Sequence, residues 1–201
     1  EEMPLVRTEV QESFDAEAGW ACSMSSDDGR GTVRGFASGE GRVLGLKIEF
    51  LRRGRSFAIL SPPKPLLVEA RCAMLSVRAL GRNARHALSF VVLDYYGRAY
   101  ELPLGTLDFT GWKSLRVFVP RSDPATGAGI VQDDRHFTRP AGLRIAGLKL
   151  DFDPEEAYGS FYVYFDDIEA TIDGFGPAPV TDPPIAPPAA PVAAPVAPSV
   201  A

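Results

Sequence analysis

Apolar and polar residues alternate with a period of two along most of the chain. Leu44, Leu46, Ile48 and Phe50 alternate with Gly45, Lys47, Glu49 and Leu51, which predicts a strand with one buried face. From Val68 to Leu80, Leu75, Val77 and Ala79 fall on one side and Met74, Ser76 and Arg78 on the other. Ala87 to Tyr96 is apolar on both sides and ends at Gly97; Ala99 to Leu104 reads as its hairpin partner across a Tyr-Tyr-Gly-Arg turn. Trp112 to Val119 sets Leu115, Val117 and Val119 on one face before Pro120, which cannot donate to a sheet ladder. Leu143 to Phe152 is a further strand, with Gly147 marking a bulge. Ser160 to Ile172 is the longest and most aromatic. Strict alternation turns its Phe161, Val163 and Phe165 one way and its Tyr162, Tyr164, Ile168 and Ile172 the other.

No segment carries a helical stripe with caps. Many strands, short spacing and Gly/Pro/Asp turns predict an all-β chain: an antiparallel β-sandwich of jelly-roll type. Two connections are long, a polar loop at Ser23 to Thr32 and the stretch from Pro120 to Gly142. Loops of that length are usually functional or disordered, and deleting Asp123 to His136 is expected to spare the fold. Beyond Phe175 the composition changes to Pro, Ala and Val without aromatic anchors. Such a segment cannot bury enough surface to offset its ordering entropy. The expected organisation is a β-sandwich over residues 1–175 and a disordered Pro/Ala-rich tail over 176–201.

The chain of 201 residues has a formal net charge of −5. Its basic residues are scattered apart from Arg52, Arg53 and Arg55, a pattern that argues against a nucleic-acid partner. No run of about 18 apolar residues is present to span a membrane as a helix. Cys22 and Cys72 read either as a disulfide or as two separate thiols; neither belongs to a CxxC or zinc pattern. A start at Glu1 fits a removed signal peptide or a trimmed chain.

Catalytic patterns are missing: no nucleophile elbow, phosphate loop or HExxH occurs. His86 lies in a polar turn and reads as solvated; His136 stands near Asp133 and Asp134 in the long loop, without metal-ligand spacing. Glycoside hydrolysis by carboxylates such as Asp151 and Glu156 needs a set separation across a cleft, whereas Asp153-Pro154-Glu155-Glu156 reads more simply as a turn. Adjacent Asp166 and Asp167 point to opposite faces of a regular strand, so one is expected to be buried. It would pair with an Arg, meet solvent, or join Asp15 or Glu12 around a structural Ca²⁺. No other cofactor is expected. Trp20, Tyr95, Tyr96 and Trp112 are the aromatics that could stack on a sugar; the alternative is that they pack in or frame the sandwich.

Three motifs carry a resemblance. Ser13-Phe14-Asp15 followed by Trp20, GWKSLRVFVP at Gly111 to Pro120, and DPEEAYGSFYVYFDDI at Asp153 to Ile168 resemble the flagellar filament outer-layer, or sheath, proteins of spirochaetes. The likeness covers most of Glu12 to Ile172 and leaves out the Pro/Ala tail. It implies an exported periplasmic protein, its signal peptide removed, that coats or associates with the flagellin core of an internal flagellum. It implies no catalytic residue and no required cofactor. The expected partners are flagellin, other filament proteins and further copies of the chain. Arg52, Arg53 and Arg55, with Asp123, Asp133, Asp134, Arg135 and His136 of the long loop, are the expected contacts. The alternative is a carbohydrate-binding module of a secreted or periplasmic protein.

Overall fold

A computed structural model describes residues 7–14, 19–38, 41–122, 129–132 and 142–172. Its strands are β1 (Arg7–Glu12), β2 (Ala21–Met24), β3 (Gly29–Ser38), β4 (Gly41–Phe50), β5 (Phe57–Ser61) and β6 (Leu66–Val68), then β7 (Cys72–Arg82), β8 (Ala87–Leu93), β9 (Ala99–Thr106), β10 (Thr110–Phe118), β11 (Leu143–Asp151) and β12 (Ser160–Ile172). The described residues contain no helix long and apolar enough to cross a membrane.

The strands form two antiparallel sheets packed face to face. The front sheet runs β10-β7-β12-β4-β3, with β1 also on β12; the back sheet runs β2-β5-β11-β8-β9, with β6 also on β11. Alternation explains the packing. Leu46 and Ile48 of β4, Leu75, Val77 and Ala79 of β7, and Val163 and Phe165 of β12 meet Leu60 of β5, Leu88, Phe90 and Val92 of β8, and Leu148 and Leu150 of β11. This is the antiparallel sandwich predicted from the period-two pattern. The boundary set at residue 175 and the Pro/Ala tail lie outside the described residues.

Each central strand changes its partner partway along. β12 pairs with β4 through Phe165 and with β1 from Ile168 onward. β11 pairs with β6 at Leu143–Ile145 and with β5 from Leu148 onward. A register shift accompanies each change, between Asp166 and Ile168 and between Ile145 and Gly147. The extra residue at Asp167, with φ at 40°, reverses the phase of β12. Ile168, Ala170 and Ile172 therefore join Val163 and Phe165 in the core, against the strict alternation expected from the sequence.

Other local expectations are also corrected. The strand expected over Val68 to Leu80 is divided, because the chain leaves the back sheet after β6 and enters the front sheet at β7. The polar loop expected at Ser23 to Thr32 is a short turn between β2 and β3, which lie in different sheets. The stretch from Pro120 to Gly142 is anchored in its middle. Ile130 is buried, and the Gln132 side chain bonds the Cys72 backbone at both ends: it accepts the Cys72 N–H at 2.7 Å and donates to the Cys72 carbonyl at 2.8 Å. Deleting Asp123 to His136 would remove this staple, so the deletion is expected to cost stability.

His86, expected in solvent, is 1% exposed. Arg82, Asn83 and Arg85 before it stay exposed while its own side chain turns inward, and the imidazole packs edge-on against Phe152 and Phe161. Its Nδ1 accepts the Asp153 amide at 3.2 Å. Burial lowers its pKa, against the opposing pull of Glu156 and Asp153. Cys22 and Cys72 are free thiols, pushed by burial up to about 11 and about 12 respectively.

Candidate functional site

The outer face of the front sheet carries exposed aromatic and basic side chains, among them Phe36, Trp112, Phe118 and Tyr162. Pairing register sets them in rows. Trp112, Leu80, Tyr164, Gly45 and Arg34 stand side by side across β10, β7, β12, β4 and β3. Tyr162, Lys47 and Thr32 form the neighbouring row on β12, β4 and β3. At the opposite end of the sheet, Phe118 lies beside Met74 and Thr171, and Arg116 beside Ser76 and Glu169. Phe118 is 78% exposed, and Val10 of β1 is also open to solvent.

Between β3, β4 and β12 the face sinks into a groove of about 340 Å³, lined by Thr32, Arg34, Phe36, Gly45, Lys47, Tyr162 and Tyr164. Gly45 makes this hollow possible. A Cβ there would lie 2.3 Å from the Phe36 ring and 3.1 Å from that of Tyr164. Phe36 and Tyr164 meet edge to face, with ring centres 5.6 Å apart. Lys47 sits over the Tyr162 ring at 5.8 Å and pairs with Glu49. That hydrogen bond raises the Lys47 pKa and lowers that of Glu49, so both stay charged. Arg82 covers the Tyr164 ring at 5.7 Å.

A second hollow of about 370 Å³ adjoins it, bounded by Arg42, Arg78, Trp112, Asp166 and Asp167. The β12 bulge determines its charge. Asp166 and Asp167 do not point to opposite faces; both reach Arg78 Nη1, at 3.1 and 3.4 Å. Arg78 also lies over the Trp112 ring at 5.3 Å. The two carboxylates named for Ca²⁺ thus face a guanidinium, and Asp15 lies outside the described residues. Glu12 is engaged by the Phe14 amide at 2.9 Å and by the Trp20 indole at 3.5 Å. Among the described residues no group of three or more His, Cys, Asp or Glu could hold a metal ion.

The four aromatics proposed for sugar stacking are not brought together. Trp20 is 7% exposed and packs on Phe14, with ring centres 5.3 Å apart. Tyr95 and Tyr96 lie in the β8–β9 turn, where buried Asp94 accepts the Tyr96 and Arg98 amides and the Arg98 Nε. Trp112 alone stands on the front face. Phe36, Tyr162 and Tyr164 were not singled out by sequence reasoning; their placement on outward positions of paired strands was the available signal.

Arg52, Arg53 and Arg55 are exposed in the β4–β5 connection, with Arg53 over the Tyr158 ring at 4.9 Å. Asp123, Asp133, Asp134, Arg135 and His136 lie outside the described residues. Of the carboxylates considered for hydrolysis, Asp151 meets Lys149 at 3.3 Å and Glu156 meets Arg85 at 2.8 Å. Arg85 holds Glu155 as well, at 2.9 Å, and these donors lower the Glu156 pKa.

The family model described as flagellar filament outer layer protein matches residues 30–175. A protein of Brachyspira hyodysenteriae described as flagellar filament outer layer-like is 32% identical over 131 residues, covering 65% of this chain and 57% of that protein. The flagellar filament outer layer protein of Spirochaeta aurantia is 26% identical over 159 residues, covering 65% and 47%. The chain thus spans about half the length of these curated relatives. A solved carbohydrate-binding module of the β-sandwich superfamily has the same fold, with a TM-score of 0.51 at 13% identity, over 79% of this chain and 60% of that one.

Proposed function

We propose, because this chain belongs to the flagellar filament outer layer protein family, that it is a non-enzymatic component of the periplasmic flagellum and coats the flagellin core. The observation that carries the contact surface is the apolar end of the front sheet. Phe118 is exposed there on the same strand as Arg116, and Val10 is exposed on β1 at the same end of the sheet. An exposed large aromatic with an apolar neighbour, here Met74 across the ladder, and an Arg on its own strand has the composition of an interface centre. The Arg52, Arg53 and Arg55 connection is a second proposed contact, since Leu51 and Tyr158 are exposed with it. Repetition along a filament makes each contact count through avidity.

The test is co-fractionation. Periplasmic flagella purified intact from the source cells should carry the protein at a level comparable to flagellin. Retention in the soluble periplasmic fraction would overturn the reading. A Phe118→Asp variant should keep its melting temperature, because that ring is exposed, and leave the filaments.

A further inference from the structure

We propose that the groove between β3, β4 and β12 is a binding site for an acidic oligosaccharide, a chain of pyranose units carrying carboxylates. It lies at the opposite end of the front sheet from Phe118 and is independent of the flagellar reading.

The backbone restricts what can bind. β4 is paired on both sides, by β3 and β12, and β12 is paired by β4 and β7 along the groove. Their amides and carbonyls are used in the ladders, so an occupant lying over them cannot add as a strand. Over β4 and β12 recognition comes from side chains; only the outer edge of β3, the last strand of the sheet, offers backbone groups. The side chains present are aromatic rings, a threonine hydroxyl, tyrosine hydroxyls, an ammonium and guanidinium groups. A pyranose offers the complement: a C–H face that stacks on aromatic rings, and a rim of hydroxyls that takes donors and acceptors. The volume of about 340 Å³ is at the lower end of the range for small-ligand sites. The neighbouring hollow at Trp112, of about 370 Å³, carries Asp166 and Asp167, so the acidic chain is expected to seat on the β3–β4–β12 groove and not there.

Gly45 points to a shaped site. Any side chain here would raise the floor into the Phe36 and Tyr164 rings. Strand interiors disfavour glycine, which often marks a place where another group approaches closely.

Charge selects the acidic class. The protein is negative overall, and several of its cations elsewhere are matched: Arg85 holds Asp153, Glu155 and Glu156, and Lys149 holds Glu101 and Asp151. Of the two cations that line the groove, Lys47 is paired with Glu49, whereas Arg34 has no ion pair among the described residues; Arg82, outside the lining, covers the Tyr164 ring. A guanidinium without a carboxylate, beside a concave surface, is suited to bidentate contact with an incoming one.

The experiment is calorimetric titration of the full chain with short oligogalacturonate, set against a neutral cello-oligosaccharide and a polyglutamate peptide. Oligogalacturonate should bind, more weakly as salt rises. Tyr162→Ala and Tyr164→Ala should each weaken it about tenfold or more. Arg34→Gln should weaken the acidic ligand and remove its advantage over the neutral one. Gly45→Ala should weaken binding without lowering the melting temperature, which keeps the test valid if a tyrosine variant misfolds. Absence of binding by oligogalacturonate, equal binding by the neutral chain, preference for polyglutamate, or indifference to Arg34→Gln and Gly45→Ala would each overturn the proposal. Filament co-fractionation would be unaffected by any of these results.

Discussion

The outward residues of the two sheets arise from the same alternation and end as different surfaces. On the back sheet, Lys149 of β11 lies over the Phe57 ring at 4.8 Å and reaches Glu101 at 2.9 Å and Asp151 at 3.3 Å. Ser89 of β8 and Ile59 of β5 flank it across the ladder. One long side chain covers the apolar positions, and two carboxylates neutralise it. On the front sheet the central position of β4 is Gly45, which has no side chain to fill the space between the Phe36 and Tyr164 rings. Cations there sit over aromatic rings, at Arg82 and Tyr164, at Lys47 and Tyr162 and at Arg78 and Trp112, and the latter two also hold carboxylates. Burial pattern alone does not distinguish these faces; the size of one central residue and the pairing of the charges do.

Glycines in the two sheets give the sharpest contrast. A Cβ on Gly147 of β11 would lie 2.1 Å from the carbonyl oxygen of Leu60, on the backbone of β5. A Cβ on Gly45 would meet the edge of an exposed phenylalanine, which can swing aside. Gly147→Ala should therefore destabilise by more than about 3 kcal/mol, read as a fall in denaturation midpoint, while Gly45→Ala changes it by less than about 1 kcal/mol. Equal effects would show that both glycines serve packing and that the front groove has no separate purpose.

The next largest effect is expected at the staple between β7 and the β10–β11 connection. Gln132→Ala leaves the Cys72 amide and carbonyl buried without partners, at a cost of about 2–4 kcal/mol. Neither outer face should change, so oligosaccharide and filament binding should persist in the folded fraction.

Acidification probes the interior between the faces. Burial lowers the His86 pKa in the fold below its ordinary value of 6.5. The unfolded chain then takes up the proton first, so stability is fully present above about 6.5 and is lost as pH falls towards the folded value. Thermal melts at pH 7.5 and 5.5 should show this loss, and His86→Gln should flatten it. A melt that is equally steep in that variant would assign the loss to other groups. Glu156, whose pKa is lowered by Arg85, adds a loss only at pH below about 4.5.

Smallest of all is Lys149→Met on the back face. Its ion pairs are partly solvated and its stem can be replaced by an apolar one, so stability should stay within about 1 kcal/mol. A larger drop would mean that the paired cation holds the back sheet closed.

Much of this architecture was legible from the chain. The core sides of β4, β7 and β10 follow from alternation, as does the β8–β9 turn at Gly97. The anchors of β8–β9 and of residues 129–132 were not, because Asp94 and Gln132 act through backbone groups that sequence spacing does not relate. His86 was misplaced for the same reason. Its neighbours along the chain are polar, whereas its neighbours in space are Phe50, Phe152 and Phe161.

The sequence by itself determined that the chain is an antiparallel sandwich, which side of most strands faces the core, and which family its motifs belong to. Period-two alternation and short motifs are local, and neighbours along the chain suffice to define them. Tertiary structure alone decided the bulge at Asp167 that sends both aspartates to Arg78, the change of strand partners at the two register shifts, and the groove. Phe36, Gly45 and Tyr164 come from three strands, and Tyr164 lies far along the chain from the other two. Only the hydrogen-bond register across β3, β4 and β12 sets their rings side by side.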